Sequence, residues 1–209
     1  MRTSVYIDGF NLYYRILKGT PYKWLDLKAM LVSLLPEHCQ IDHIKYFTAL
    51  VSGKRDAGQP IRQKTYIRAL EKYIPELSVH YGRFLSNPVS ACRYPLTNPP
   101  TFVNILKTEE KGSDVNLAVH LLNDAWHNKY DCAVLVSNDS DLAEALRLAR
   151  EEQGKTIGLV SPVQKGQGHP SHTLQQYAHF TRQIREGLLA VSQLPTPIPN
   201  TTIHKPAGW

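Results

Sequence analysis

Three separated acidic segments hold most of the chemistry available to this chain. Asp8 follows the apolar run Thr3-Ser4-Val5-Tyr6-Ile7 and precedes Gly9. Asp139 and Asp141 stand in Ser137-Asn138-Asp139-Ser140-Asp141, directly after Cys132-Ala133-Val134-Leu135-Val136. Asp114 follows Ser113 at the start of an amphipathic stretch. Carboxylates gathered together repel one another unless a cation compensates them, and their hard oxygens suit Mg²⁺ or Mn²⁺. No His and Cys set has the spacing of a zinc site. Singly, each acid has a plainer role: Asp139 and Asp141 at a helix start, Asp114 as a first-turn acid, Asp8-Gly9 as a turn. Only convergence on one edge of a fold makes them a site.

The elements that would bring them together are legible in the apolar periodicity. Residues 3–7 predict a buried strand, 11–17 and 25–35 two helices, and 43–51 a second strand. Residues 59–74 predict a helix whose apolar positions recur at three and four, and 77–85 a third strand. Residues 87–108 carry Pro88, Pro95, Pro99 and Pro100 and predict an inserted loop or small hairpin across the top of the sheet. A helix over 113–126, opened by Ser113 as its N-cap, leads into the central strand 131–137. A helix through Leu142, Ala145, Leu146 and Ala149 ends at Gly154, and 156–160 is the fifth strand. Alternation of this kind implies a mainly parallel five-stranded sheet covered by helices on both faces. Ligands of such sheets collect outside the carboxyl ends of the strands, where Asp8 and Asp139 fall. A crossover helix running back over the sheet would put Asp114 on the same rim.

At this point the motifs resemble a known family. Tyr6-Ile7-Asp8-Gly9-Phe10-Asn11-Leu12, Glu110-Lys111-Gly112-Ser113-Asp114-Val115-Asn116-Leu117-Ala118 and Val136-Ser137-Asn138-Asp139-Ser140-Asp141-Leu142 are similar, in this order, to the NYN domain family of PIN-like nucleases. The similarity spans roughly residues 3–161. It implies a Rossmann-like three-layer α/β/α sandwich and an acidic site binding Mg²⁺ or Mn²⁺ for RNA cleavage, with products carrying a 5′-phosphate. Asp8, Asp114 and Asp139 would be the metal-binding acids, Asp141 would assist, and Asn11 would point its amide into the site. Ser137 matches the small hydroxyl residue that precedes the last acidic pair. The resemblance departs at His120, where many relatives carry a further Asp; helical stepping sets His120 far around from Asp114, so it is not expected to be a ligand.

Composition agrees with a soluble α/β domain and narrows the partners. The 209 residues are 42% hydrophobic and 20% charged, with a formal net charge of +6. The modest basic excess suits an anionic partner such as single-stranded RNA without requiring one. Lys107, Lys111 and the helical stripe Lys64, Arg68 and Lys72 are candidate phosphate contacts, and equally a solvated helix face. Tyr13, Tyr14 and Trp24 are candidates to stack on bases, and equally core residues. Cys39, Cys92 and Cys132 predict buried free thiols, and His169, His172 and His179 loop histidines. No apolar stretch is long enough to cross a bilayer, and no signal-peptide core follows Met1, so a cytoplasmic protein with no membrane partner is expected. The organisation expected is a domain over 1–161 with its insertion at 87–108, a helical extension packed on it over 162–194, and an extended proline-rich tail over 195–209.

Two functions compete on these residues: a divalent-metal-dependent ribonuclease, and a non-catalytic RNA-binding or regulatory module that keeps the fold. A phosphatase of the haloacid-dehalogenase type would need a second Asp at the place of Phe10. The insertion suits a lid or a subunit contact, which leaves a homo-oligomer open.

Overall fold

The structure, a computed structural model, describes residues 1–53, 56–163 and 168–209. Its main sheet has six strands, all paired in parallel, in the order β3-β2-β1-β6-β7-β8. In chain order the elements are β1 (Arg2–Asp8), α1 (Gly9–Leu12) running into a π-helical turn (Tyr13–Leu17), α2 (Leu27–Leu34), β2 (Gln40–Thr48), α3 (Gln59–Tyr73) and β3 (Leu77–Tyr81). There follow a separate ribbon of β4 (Arg83–Cys92) and β5 (Phe102–Lys111), α4 (Ser113–Trp126), β6 (Cys132–Val136), a 3₁₀ turn (Ser140–Leu142), α5 (Ala143–Glu151) and β7 (Thr156–Ser161). The chain finishes through α6 (His172–Gln175), β8 (Phe180–Gln183) and α7 (Glu186–Val191).

Strands β1 and β6 lie at the middle of the sheet, and their side chains feed two cores. Val5, Ile7, Val134 and Val136 pack beneath the α2 and α3 side with Leu27, Met30, Leu31 and Leu70. Tyr6, Ala133 and Leu135 face the other way, onto Leu117 and Leu121 of α4 and Leu146 of α5. A strand buried on both faces has no polar side to display, which is why these strands read as unbroken apolar runs. Burying that surface on two faces supplies the main driving force for the fold.

The structure corrects several sequence expectations. The sheet has a sixth strand, because residues 180–183 pair with β7. The extension expected to be helical over 162–194 therefore holds two short helices with a strand between them. The helical pattern breaks at His179, whose N–H donates to the Ile157 carbonyl at 2.7 Å and whose Nδ1 accepts the Ile157 N–H at 3.0 Å, locking the chain against β7. The third strand stops at Tyr81 rather than running to residue 85: the Gly82 N–H donates the last bond of the ladder to the Thr48 carbonyl, and β4 begins at Arg83 in a separate ribbon. Beyond it the expected insertion is a ten-residue antiparallel ribbon that starts earlier and ends later than 87–108. Pro88 is tolerated inside it because each strand of a two-stranded ribbon has a free edge. Of the thiols, Cys132 is buried and Cys39 half-buried, but Cys92 is exposed at the ribbon's end. Gly166, Gly168 and Pro170 also predict a loose loop, of which residues 164–167 lie outside the described residues.

The proline-rich tail packs on the body: Ile198 and Ile203 are buried in the first core, and Trp209 lies edge-on to Trp24 and Tyr66. Among the described residues no helix is long and apolar enough to cross a membrane.

Candidate active site at the switch point

The strand order reverses between β1 and β6, so their carboxyl ends flank a crevice. Asp8 ends β1 and caps α1, its carboxylate accepting the Asn11 N–H at 2.9 Å. Its second oxygen accepts the Ser137 hydroxyl at 2.9 Å, and that hydroxyl accepts the Asp139 N–H at 3.1 Å. Asp139 in turn caps the 3₁₀ turn by accepting the Asp141 N–H at 3.1 Å. Asn11 Oδ1 accepts the Asn138 N–H at 3.0 Å, a second tie across the same crevice. Gly9 is required beside Asp8 by close approach: a Cβ there would stand 2.7 Å from both the Phe47 carbonyl oxygen and the Tyr46 hydroxyl.

The third acid arrives on α4. Gly112, with φ of +97°, turns β5 into the helix and occupies the cap position. Ser113 is the first helical residue and not the N-cap; the cap oxygen comes from Glu110, which accepts both the Ser113 N–H at 3.1 Å and its hydroxyl at 2.8 Å. Asp114 follows in the first turn, at the positive end of the helix dipole.

Asp8, Asn11, Glu110, Ser113, Asp114 and Asp139 thus line one open cleft of about 340 Å³, with Phe10, Tyr14, Phe84 and Arg15 around it. Burial pushes the Asp8 carboxyl up to about 6, and the charges of Asp114 and Asp139 add to it against the hydrogen bonds from Asn11 and Ser137. Asp114 is also raised, by burial first and then by Asp139, Glu110 and Asp141. Carboxylates gathered on one cleft disfavour one another's charge. Among the described residues no three His, Cys, Asp or Glu side chains are drawn into a ready-made metal shell. The donor set nevertheless fits a hard divalent cation: carboxylate and amide oxygens whose excess negative charge is unbalanced.

The structure places the expected residues in different settings. Asp8, Asp114, Asp139 and Asn11 line the cleft. Ser137, a candidate substrate contact, is fully buried, its hydroxyl bonded to both Asp8 and Asp139. Asp141 is exposed; its N–H donates to Asp139 at 3.1 Å, and its charge adds to the acidic field at Asp114. Lys107 and Lys111 pair with Glu109 on the ribbon, while Lys64, Arg68 and Lys72 lie on the exposed face of α3; none lines the cleft. His120 packs at a tilt against His80 and Phe47 and does not line the cleft. Trp24 is core, whereas Tyr13 and Tyr14 line cavities beside the cleft. Two residues escaped the sequence reading. Glu110 was visible only as part of a motif, and Arg15 could have been found from its spacing, four residues after Asn11 and seven after Asp8 on one helical face.

A doubly wound α/β domain with acids gathered at its switch point defines the PIN-like class. The chain belongs to the NYN domain family, whose model matches residues 2–184. It is 38% identical, over its whole length and 75% of the relative's, to a Pseudomonas putida protein named 6-hydroxy-3-succinoylpyridine 3-monooxygenase HspA. Its fold is similar to that of a crystal structure of a Vibrio parahaemolyticus protein of unknown function, with a TM-score of 0.57 and 16% identity over 88% of this chain and 93% of that one.

Proposed function

We propose that this chain is a divalent-metal-dependent ribonuclease that hydrolyses phosphodiester bonds at the acid-lined cleft. The observation that carries the reading is the convergence of Asp8, Asp114 and Asp139 from three distant segments on one crevice at the switch point. Asp8, Asp114 and Asp139 would hold Mg²⁺ or Mn²⁺. When bound, the cation would supply charge neutralisation for a phosphate beside these acids and would acidify water. The protein's own residues do the rest. Asn11, Ser137 and Glu110 hold the acids through the bonds given above. Phe10, Tyr14 and Phe84 offer an aromatic wall for unstacked bases. Arg15 is the cation placed to meet a phosphate at the cleft.

The deciding experiment is cleavage of labelled single-stranded RNAs with Mn²⁺ by wild type and Asp8→Asn. Binding without metal-dependent cleavage of any of them would replace the ribonuclease with a non-catalytic RNA-binding module. Arg15→Ala is expected to weaken RNA binding and to reduce the slope of log affinity on log salt by about 0.7, the share of one single-strand phosphate contact. Anisotropy titrations at several KCl concentrations measure this, and an unchanged slope removes Arg15 from the interface.

A second reading takes the Pseudomonas relative's name as its guide: oxidation of a small nitrogen heteroaromatic. The 38% identity over the whole chain favours it. Incubation with 6-hydroxy-3-succinoylpyridine, dioxygen and an electron donor tests it, and no ring-hydroxylated product would dismiss it.

A further inference from the structure

The outer face of α4 carries no charge. This helix of 14 residues has only two acids and no Lys or Arg; Asp114 lines the cleft, and Asp124 is buried in its ion pair with Lys45. The outer faces of the neighbouring long helices differ, with Lys64, Arg68 and Lys72 exposed on α3 and Glu144, Arg147 and Glu151 paired on α5. A surface helix normally turns such residues to water. On α4 that side bears Val115, Val119 and Trp126, exposed to 66%, 57% and 61%, with Leu122 half-buried in the same row.

These four residues are spaced by four, three and four, which aligns them in one stripe of the kind that forms a helix–helix seam. The stripe that faces the sheet is a different one, Leu117, Leu121 and Ala125. The outer stripe also reads the same from either end. A two-fold axis through its midpoint lays it antiparallel on a copy of itself, setting Val115 opposite Trp126 and Val119 opposite Leu122. The smaller side chain then meets the larger at every level, as interdigitating helices require. Antiparallel helix dipoles favour the same arrangement.

The area is that of a stable contact. The exposed parts of Trp126 and the two valines present roughly 350 Å² of apolar surface, about 150 Å² from the tryptophan and about 100 Å² from each valine. A standard interface covers about 800 Å² on each partner, a little over half of it apolar. With the half-buried Ala118 and Leu122 beside them, the three residues come close to that apolar share. Tryptophan is also among the residues that most often carry an interface.

We propose that α4 joins two copies of this chain, as a two-fold antiparallel helix pair closed on Val115, Val119, Leu122 and Trp126. Each α4 begins at its own cleft with Asp114, so the two clefts lie at opposite ends of the pair, about 20 Å apart. The contact rests on neither reading of the reaction.

The test is sedimentation velocity of the whole chain between about 0.1 and 100 µM, the weaker range of standard-size interfaces. Wild type is expected to pass from monomer to dimer. Val115→Lys, Val119→Glu and Trp126→Glu each place a charge against an apolar partner and should weaken association at least about a hundredfold. Val32→Glu makes the same change on an exposed valine of α2 and should dimerise as wild type does. Mixing Val115→Lys with Trp126→Glu sets the new cation against the new anion and leaves the second Val115–Trp126 contact intact. The mixture should therefore dimerise within about tenfold of wild type, a recovery that a parallel pair could not give. Circular dichroism checks that each variant is folded; Val119→Asn, a neutral change expected to cost about tenfold, replaces any that is not. A wild type that stays monomeric, stripe variants as dimeric as wild type, or an equal loss in Val32→Glu overturns the contact. A mixture no tighter than its components overturns the antiparallel register.

Discussion

Asp8→Asn is expected to make the metal-free protein more stable at pH 8 while removing its activity. Asp8 is 4% exposed, and burial and its acidic neighbours hold its pKa at about 6, against an ordinary 3.8. The folded state therefore binds a proton more readily than the unfolded chain. That preference contributes stability below the unfolded pKa, and it is lost as pH rises through 6. Above 6 the buried charge costs about 3 kcal/mol relative to the protonated acid, an upper figure for what Asn can recover. Asn retains an oxygen for the Asn11 N–H, and the Ser137 hydroxyl can rotate to accept from its amide. In a chain of this length the gain corresponds to several degrees in melting temperature, shrinking as pH falls towards 4. His80 and His120 act in the opposite sense over the same range. Burial lowers both, His80 to about 4, and protonating them below their ordinary pKa opposes folding. Asp8 must accordingly be read as the difference between wild type and variant melting curves at each pH. If the cleft works as the metal-dependent ribonuclease proposed above, removing one of its primary acids should cost that activity more than the roughly 10- to 100-fold typical of losing an outer partner at a metal site. Mn²⁺ should raise the melting temperature of wild type and not that of Asp8→Asn, as binding to the folded state alone requires. A variant that melts lower than wild type at pH 8, or cleaves as fast, would show that the cleft is assembled for something else.

The second large effect lies behind the site, in the layer between α4 and the sheet. Asp124 is buried, and burial by itself disfavours its charge. Its ion pair with Lys45 and the Tyr6 hydroxyl overcome this and hold its pKa below the ordinary value. Lys129 adds a cation 3.2 Å from the other oxygen. Asp124→Ala leaves a largely buried ammonium and a buried phenol facing an emptied pocket. Such one-sided removal costs about 3–5 kcal/mol. Tyr6→Phe, which leaves the ion pair intact, should cost nearer 1 kcal/mol. Urea denaturation of the two variants measures the difference, and equal small losses would mean that the pair contributes no more than its hydroxyl bond. The pH sign is the reverse of Asp8: this contribution is present above the unfolded pKa near 4 and disappears as pH falls through the lower folded value.

The same contrast describes what was legible in the chain. Asp8 and Asp139 were visible because each directly follows an apolar strand, and a parallel sheet sends the ends of its strands to one rim. Asp114 was visible because a crossover helix returns to that rim. Strand 180–183 was not, because four residues of mixed polarity pair only once β7 offers an edge. The ribbon was legible as an interruption, through its prolines, but not as two paired strands.

The sequence by itself determined the alternation of strands and helices up to residue 161 outside the ribbon, the strands buried on both faces and the acids at their carboxyl ends. Those are local properties of composition, periodicity and chain breaks. Only the tertiary structure decided which other side chains join them. Arg15 lines the cleft while Lys64, Arg68 and Lys72 do not, although all read as basic helix positions. Tyr46 reaches Gly9 because β2 pairs with β1 in a register that sets it beside Ile7, on the same face of the sheet. A shift of one residue would send it to the other core. That register is set by the sum of packing on both faces, a quantity no short stretch of sequence contains.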